Sequence, residues 1–195
     1  MTSFTAMNTS FLVAGLSDHD SETVKKLIVQ AEQAFSRFRK DSELSIINRN
    51  KGQWVQVSPL AYRLLEDAQQ AYQHTTGIFN PFLGSELEQL GYNRSFELLP
   101  QDFPSDRNEQ NSCSISSDIT GTERKSYLEF DEKTSSVRMD SGAELDLGGI
   151  AKGWIAQYAA EQCILRGAEH GLIDAGGDIV LWGKEPQQEV WGVEV

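Results

Sequence analysis

The chain has 195 residues, 39% hydrophobic and 24% charged, the balance of a globular protein with room for a sizeable core. Its net charge of −12, from 17 basic and 29 acidic residues, argues against nucleic acid as a principal partner, because phosphate neutralisation dominates that affinity. No apolar run is long enough to span a bilayer, and the N-terminus shows neither a basic segment nor an apolar signal core, so the expectation is a cytoplasmic protein with no transmembrane segment.

In chain order, Ser3–Leu16 contains the apolar run Phe11-Leu-Val-Ala14 closed by Gly15 and reads as one strand. Asp20 or Ser21 is expected to cap a long amphipathic helix with Val24, Leu27, Ile28, Ala31, Phe35 and Phe38 on one stripe, running through Arg39. Asp41–Asn48 breaks that pattern and restarts as a short helix, and Gln53–Val57 alternates as a strand. Ser58-Pro59 is an N-cap followed by proline at the first helical position, with Leu60, Leu64, Leu65, Ala68, Ala71 and Tyr72 behind it and Gly77 as the stop. Thr76-Gly-Ile-Phe-Asn-Pro-Phe-Leu-Gly84 is too broken for a regular element; it reads either as a pocket-lining loop or as a buried connection. The segment 100–125 is polar and reads as a surface loop. Tyr127–Asp131 and Ser136–Asp140 then form a hairpin.

The stretch Glu144-Leu-Asp-Leu-Gly-Gly-Ile-Ala-Lys-Gly153 carries the chemistry. It reads as a short strand ending near Leu147, a turn through Gly148 and Gly149, and a helix carrying Ile150, Ala151, Trp154, Ile155, Tyr158 and Ala159, ending at Gly167. Glycines at that turn allow close backbone approach to a ligand, and Gly149 is expected to use φ values that other residues avoid. The free amides and positive end of the helix favour an anion, and Lys152 adds a full charge. The alternative is a tight turn with a surface lysine. A dinucleotide fingerprint would need glycine at Ile150, and a nucleotide-triphosphatase loop would need Ser or Thr after Lys152. Leu172–Asp174 is a strand, Ala175-Gly-Gly177 a turn, and Asp174 and Asp178 flank it in an expected Asx-type role. Asp178–Gly183 and Val190–Val195 read as a hairpin-like pair, and because the sequence stops inside the second alternation the expectation is a chain cut short. Cys113 and Cys163 suggest neither a zinc site nor a disulfide framework.

Five segments together resemble the ApbE-like flavin transferases: Met7-Asn-Thr9; Phe35-Ser-Arg-Phe-Arg-Lys-Asp-Ser-Glu-Leu-Ser45 with Asn48; Thr76-Gly-Ile-Phe-Asn-Pro81; Asp146-Leu-Gly-Gly-Ile-Ala-Lys-Gly153; and Asp174-Ala-Gly-Gly-Asp178. Asn8 and Asn80 depart from that pattern, which prefers Gly and Asp there. The resemblance implies one α+β domain over 1–195, with a mixed, largely antiparallel sheet and long packed helices, incomplete at its C-terminus. It implies Mg²⁺-dependent cleavage of FAD, release of AMP and transfer of FMN to a Ser or Thr of an acceptor protein such as a redox-enzyme subunit. Hydrolysis of FAD, or binding without transfer, is the alternative. By position, Met7, Phe38, Ile78, Phe79, Asn80, Asp146 and Lys152 match flavin-binding positions, and Gly149 matches the residue whose backbone carbonyl takes the metal. The family continues well past this point, through further metal ligands. The expectation is therefore that the catalytic residues and side-chain metal ligands lie beyond residue 195, and that this chain alone does not transfer FMN. Many relatives are exported lipoproteins.

Overall fold

The computed structural model describes residues 1–90, 127–140, 142–184 and 191–192. The expected polar loop at 100–125 and Cys113 lie outside the described residues. The expected strand 190–195 does so too, except for Trp191 and Gly192, which carry no strand pairing.

The architecture is α+β with antiparallel sheets, as the sequence suggests. β1 (Thr2–Ala6), β2 (Thr9–Ala14), β6 (Gly171–Ala175) and β7 (Asp178–Trp182) form one sheet in the order β1-β2-β6-β7. β3 (Trp54–Gln56), β4 (Leu128–Asp131) and β5 (Ser136–Met139) form a second in the order β3-β5-β4. Every pairing in both sheets is antiparallel. Between the sheets lie α1 (Asp18–Phe35), α2 (Glu43–Arg49), α3 (Pro59–His74) and α5 (Ala151–Leu165), with the short α4 (Gly84–Gln89) set apart. α5 packs on β6, β7 and α1, α1 on α2 and α3, α2 on β5, and α3 on β4. The core thus runs continuously from one sheet through two helical layers to the other.

Local chemistry explains where these elements start and stop. The Ser17 hydroxyl, not Asp20 or Ser21, caps α1 by accepting the Asp20 amide, and Asp18 and Asp20 place negative charge at the positive helix end. Val24, Ile28, Ala31 and Phe35 form the buried stripe. The helix then stops, because Ser36 is extended (φ −71°, ψ 119°), so Phe38 leaves the stripe and is 44% exposed. The Ser42 and Ser58 hydroxyls cap α2 and α3, with Pro59 opening α3 as expected. α5 buries Ala151, Ile155, Ala156, Ala159, Ala160 and Cys163, and its four alanines let neighbouring layers approach closely. Burial pushes the Cys163 thiol up to about 11, so at neutral pH it stays protonated and serves as packing.

Two further expectations are corrected. The first strand is two, joined by a two-residue turn at Met7 and Asn8, whose φ values are 50° and 58°. That is type I′ geometry, whose usual Asn-Gly signal is absent here. Glu144–Leu147 is extended but joins neither sheet; it touches Leu83 through an isolated parallel bridge and is held by Pro81 and Gly84, so it is a connection and not a strand. The expected pairing of Asp178–Gly183 with Val190–Val195 rests mostly on residues outside those described, while Gly176-Gly177 is, as expected, a tight turn, and β7 pairs with β6 across it. There the Asp174 carboxylate accepts the Gly177 amide at 2.8 Å, the expected Asx role.

Candidate functional site

At one end of the four-stranded sheet the Met7-Asn8 turn, the C-terminus of α1 and the N-terminus of α5 surround a cleft of about 520 Å³. Met7 and Asn8 line one side, and Glu32, Phe35 and the Ser36-Arg37-Phe38 segment line another. Asp146, Leu147 and Gly148 follow, then Ala151 and Lys152 from α5, with Leu87 of α4 at the edge. The volume suits a small-molecule ligand.

Of the residues singled out by sequence, Met7, Phe38, Asp146 and Lys152 come together on this wall. Gly149 and the Ile78-Phe79-Asn80 loop do not line it; they adjoin it. A side-chain carbon on Gly149 would lie 3.5 Å from the Phe79 ring. Ile78 projects outward at 90% exposure. Asn80 accepts the Phe82 amide at 2.9 Å, a turn role that needs an oxygen but no charge.

Asp146 is fully engaged. One oxygen accepts the Gly148 amide at 2.9 Å and the other pairs with Arg37 Nε at 2.7 Å, both side chains being mostly buried. Its own amide donates to the Pro81 carbonyl at 2.9 Å. Arg37, which sequence reasoning left unassigned, also lies over the Phe38 ring at 4.6 Å. The carboxylate therefore fixes the glycine turn and anchors a cation in the cleft. Leu145, just before it, is gripped from across the chain: Asn48 accepts its amide at 2.8 Å and donates to its carbonyl at 2.9 Å.

α5 begins at Ala151 with no side-chain cap, and among the described residues Lys152 forms no ion pair. An uncapped helix start with a lysine in its first turn favours an anion. Trp154, one turn in, donates its indole N–H to Asp67 at 2.6 Å and sets its ring edge against Phe35, which fixes this end of the helix against the cleft wall.

The expected φ role of Gly149 is not found, for neither it nor Gly148 has a positive φ. Gly148 is the tighter of the two, since an added carbon would lie 3.0 Å from the Asp146 carboxylate oxygen. Gly148→Ala is accordingly expected to melt lower than Gly149→Ala by the equivalent of about 1 kcal/mol. Equal thermal midpoints would contradict that ordering.

A Mg²⁺ site does not fit the described residues. Among them no three His, Cys, Asp or Glu side chains are grouped to hold a metal ion. The Gly149 carbonyl would be a single ligand, where Mg²⁺ takes about six oxygens. Nor, among the described residues, is any helix long and apolar enough to cross a membrane.

A profile described as the ApbE family matches residues 5–195. The chain belongs to the ApbE family. It is similar to the FAD:protein FMN transferase of Treponema pallidum, 28% identical over 165 residues, which are 83% of this chain and 44% of that protein. The Vibrio cholerae protein of the same name is 27% identical over 181 residues, 90% of this chain and 51% of that one. Among solved structures, the ApbE protein of Thermotoga maritima superposes with a TM-score of 0.71 at 27% identity, covering 94% of this chain and 58% of its own. The flavin transferase ApbE of V. cholerae superposes at 0.74 and 23% identity, covering 100% and 62%, which supports the fold. The chain thus spans about half the length of these curated ApbE relatives.

Proposed function

We propose that the cleft binds FAD and that this chain supplies the flavin-binding part of an FAD:protein FMN transferase. The observation that carries the reading is the meeting of Lys152, the uncapped start of α5 and the Arg37–Asp146 pair at a single cleft. In a protein of net charge −12, Lys152 and the start of α5 are the positive groups a pyrophosphate would meet there, since Asp146 neutralises Arg37. Met7, Phe35 and Phe38 add apolar and aromatic surface suited to a flavin or adenine ring.

The reaction proposed is attack of an acceptor Ser or Thr hydroxyl on the FMN phosphorus. A new P–O bond forms, the bridging P–O bond breaks, AMP leaves with the bridging oxygen, and the hydroxyl proton passes to solvent. Mg²⁺ dependence belongs to this proposal, but no step is assigned to the metal, because the described residues do not assemble its ligands.

Lys152→Met keeps the apolar stem and removes the charge. It is expected to weaken FAD binding on the order of tenfold, more at low salt than at high. Fluorescence titration with circular dichroism as a fold control measures this. Unchanged affinity at every salt concentration would make Lys152 a surface residue and remove the main support for the pyrophosphate site.

A further inference from the structure

The Met7-Asn8 turn is an uncommon construction. Both residues are left-handed, with φ of 50° and 58°, and neither is glycine. Methionine in particular has no side-chain hydrogen bond to offset the crowding of its Cβ. The ladder pairs Ala6 with Thr9 and leaves the Met7 amide outside it. Glu32, in the last turn of α1, accepts that amide at 2.9 Å across 25 positions of sequence. Its own carbonyl accepts the Ser36 amide, where the helix ends and the chain turns towards Arg37 and Phe38. Met7 and Glu32 both line the cleft.

We propose that Glu32 is a positioning residue: its carboxylate clamps a strained turn and so fixes Met7 against the ligand. The proposal rests on the FAD reading for the identity of the ligand, but the clamp itself does not. A half-buried carboxylate accepting a backbone amide makes a charge-assisted bond, stronger than a neutral one. Without it, the hairpin end is held by its ladder, by the packing of Met7 on the core and by a turn whose backbone disfavours methionine. The side chain would then sample positions away from the cleft, and affinity would fall without loss of the fold.

Two measurements test this on the chain as it stands. Amide hydrogen exchange at Met7 reads the clamp, and FAD titration reads its consequence. Glu32→Ala is expected to remove protection at Met7 and weaken FAD on the order of tenfold. Glu32→Gln keeps an acceptor oxygen and should restore most of both. Asn8→Gly, added to Glu32→Ala and compared with Asn8→Gly alone because Asn8 itself lines the cleft, strengthens the type I′ turn from within and should recover affinity to the level of Asn8→Gly without restoring the Met7 bond. Unchanged Met7 protection in Glu32→Ala overturns the proposal. So does a loss of affinity that Asn8→Gly leaves untouched, since Glu32 would then be acting on the ligand directly. If the wild-type chain does not bind FAD while Glu32→Ala still exposes the Met7 amide, the clamp stands and the flavin reading falls.

Discussion

Asn48→Asp is expected to lower unfolding free energy by about 3 kcal/mol and to weaken ligand binding at the cleft with it. The Asn48 side chain imitates a neighbouring strand, giving Leu145 both a donor and an acceptor at 2.9 and 2.8 Å. A carboxylate keeps the acceptor, removes the donor and sets a negative oxygen against the Leu145 carbonyl. Leu145 is completely buried, so its carbonyl would lose its partner in a place with little access to water. The next residue is Asp146, whose pairing with Arg37 fixes the cleft wall. Urea denaturation gives the stability change and FAD titration the site effect. A loss below about 0.5 kcal/mol would show that the grip on Leu145 is incidental.

Gly176→Ala is expected to cost a similar amount, for two separable reasons. Its φ of 70° is left-handed, which any L-residue occupies at a penalty of about 1–2 kcal/mol. An added carbon would also lie 2.0 Å from Thr9 Oγ1 and 3.1 Å from Thr9 Cβ. Thr9 is β-branched, so rotating the hydroxyl away brings the methyl in, and the crowding adds about 1–3 kcal/mol. Gly177→Ala is the control: its φ is 102°, yet nothing lies within 4 Å of the added carbon. Gly177→Ala carries the larger backbone strain, its φ lying beyond the left-handed region, so a greater loss for Gly176→Ala in thermal or urea melts would have to come from packing. A smaller loss would mean that the β6–β7 turn does not press on the start of β2.

α3 is legible because period and cap agree, with Ser58, Pro59 and the Leu64, Leu65 and Ala68 stripe all pointing to one helix, whereas α1 is legible from its stripe alone. Phe38 fits the helical period although the helix has already ended; the extended backbone at Ser36 leaves no mark on that period. The β1–β2 turn was invisible because its strongest signal is a glycine, and Met7-Asn8 has none. Glu144–Leu147 alternates like a strand, with Leu145 and Leu147 buried, but its partners are loop backbone and the Asn48 side chain, which no local pattern encodes. Within the site, Lys152 is readable from the glycine turn, and Asp146 only from the resemblance to the family. Glu32 and Arg37 are not, since a charged residue near a helix end usually faces solvent. Only tertiary contact shows that one takes a backbone amide and the other a carboxylate.

The cleft wall is drawn from positions 7–8, 32, 35–38, 87, 146–148 and 151–152, so nothing resembling it exists until segments more than a hundred residues apart have met. A ligand that needs this wall has no counterpart to bind in the unfolded chain, and occupancy and folding become one coupled equilibrium. Ligand at one hundred times its dissociation constant would add about 2.7 kcal/mol to the apparent stability. The melting temperature should then climb with the logarithm of ligand concentration. A thermal scan against candidate nucleotides and flavins would rank them without acceptor protein, metal or turnover, and would read an occupied cleft as a more stable molecule.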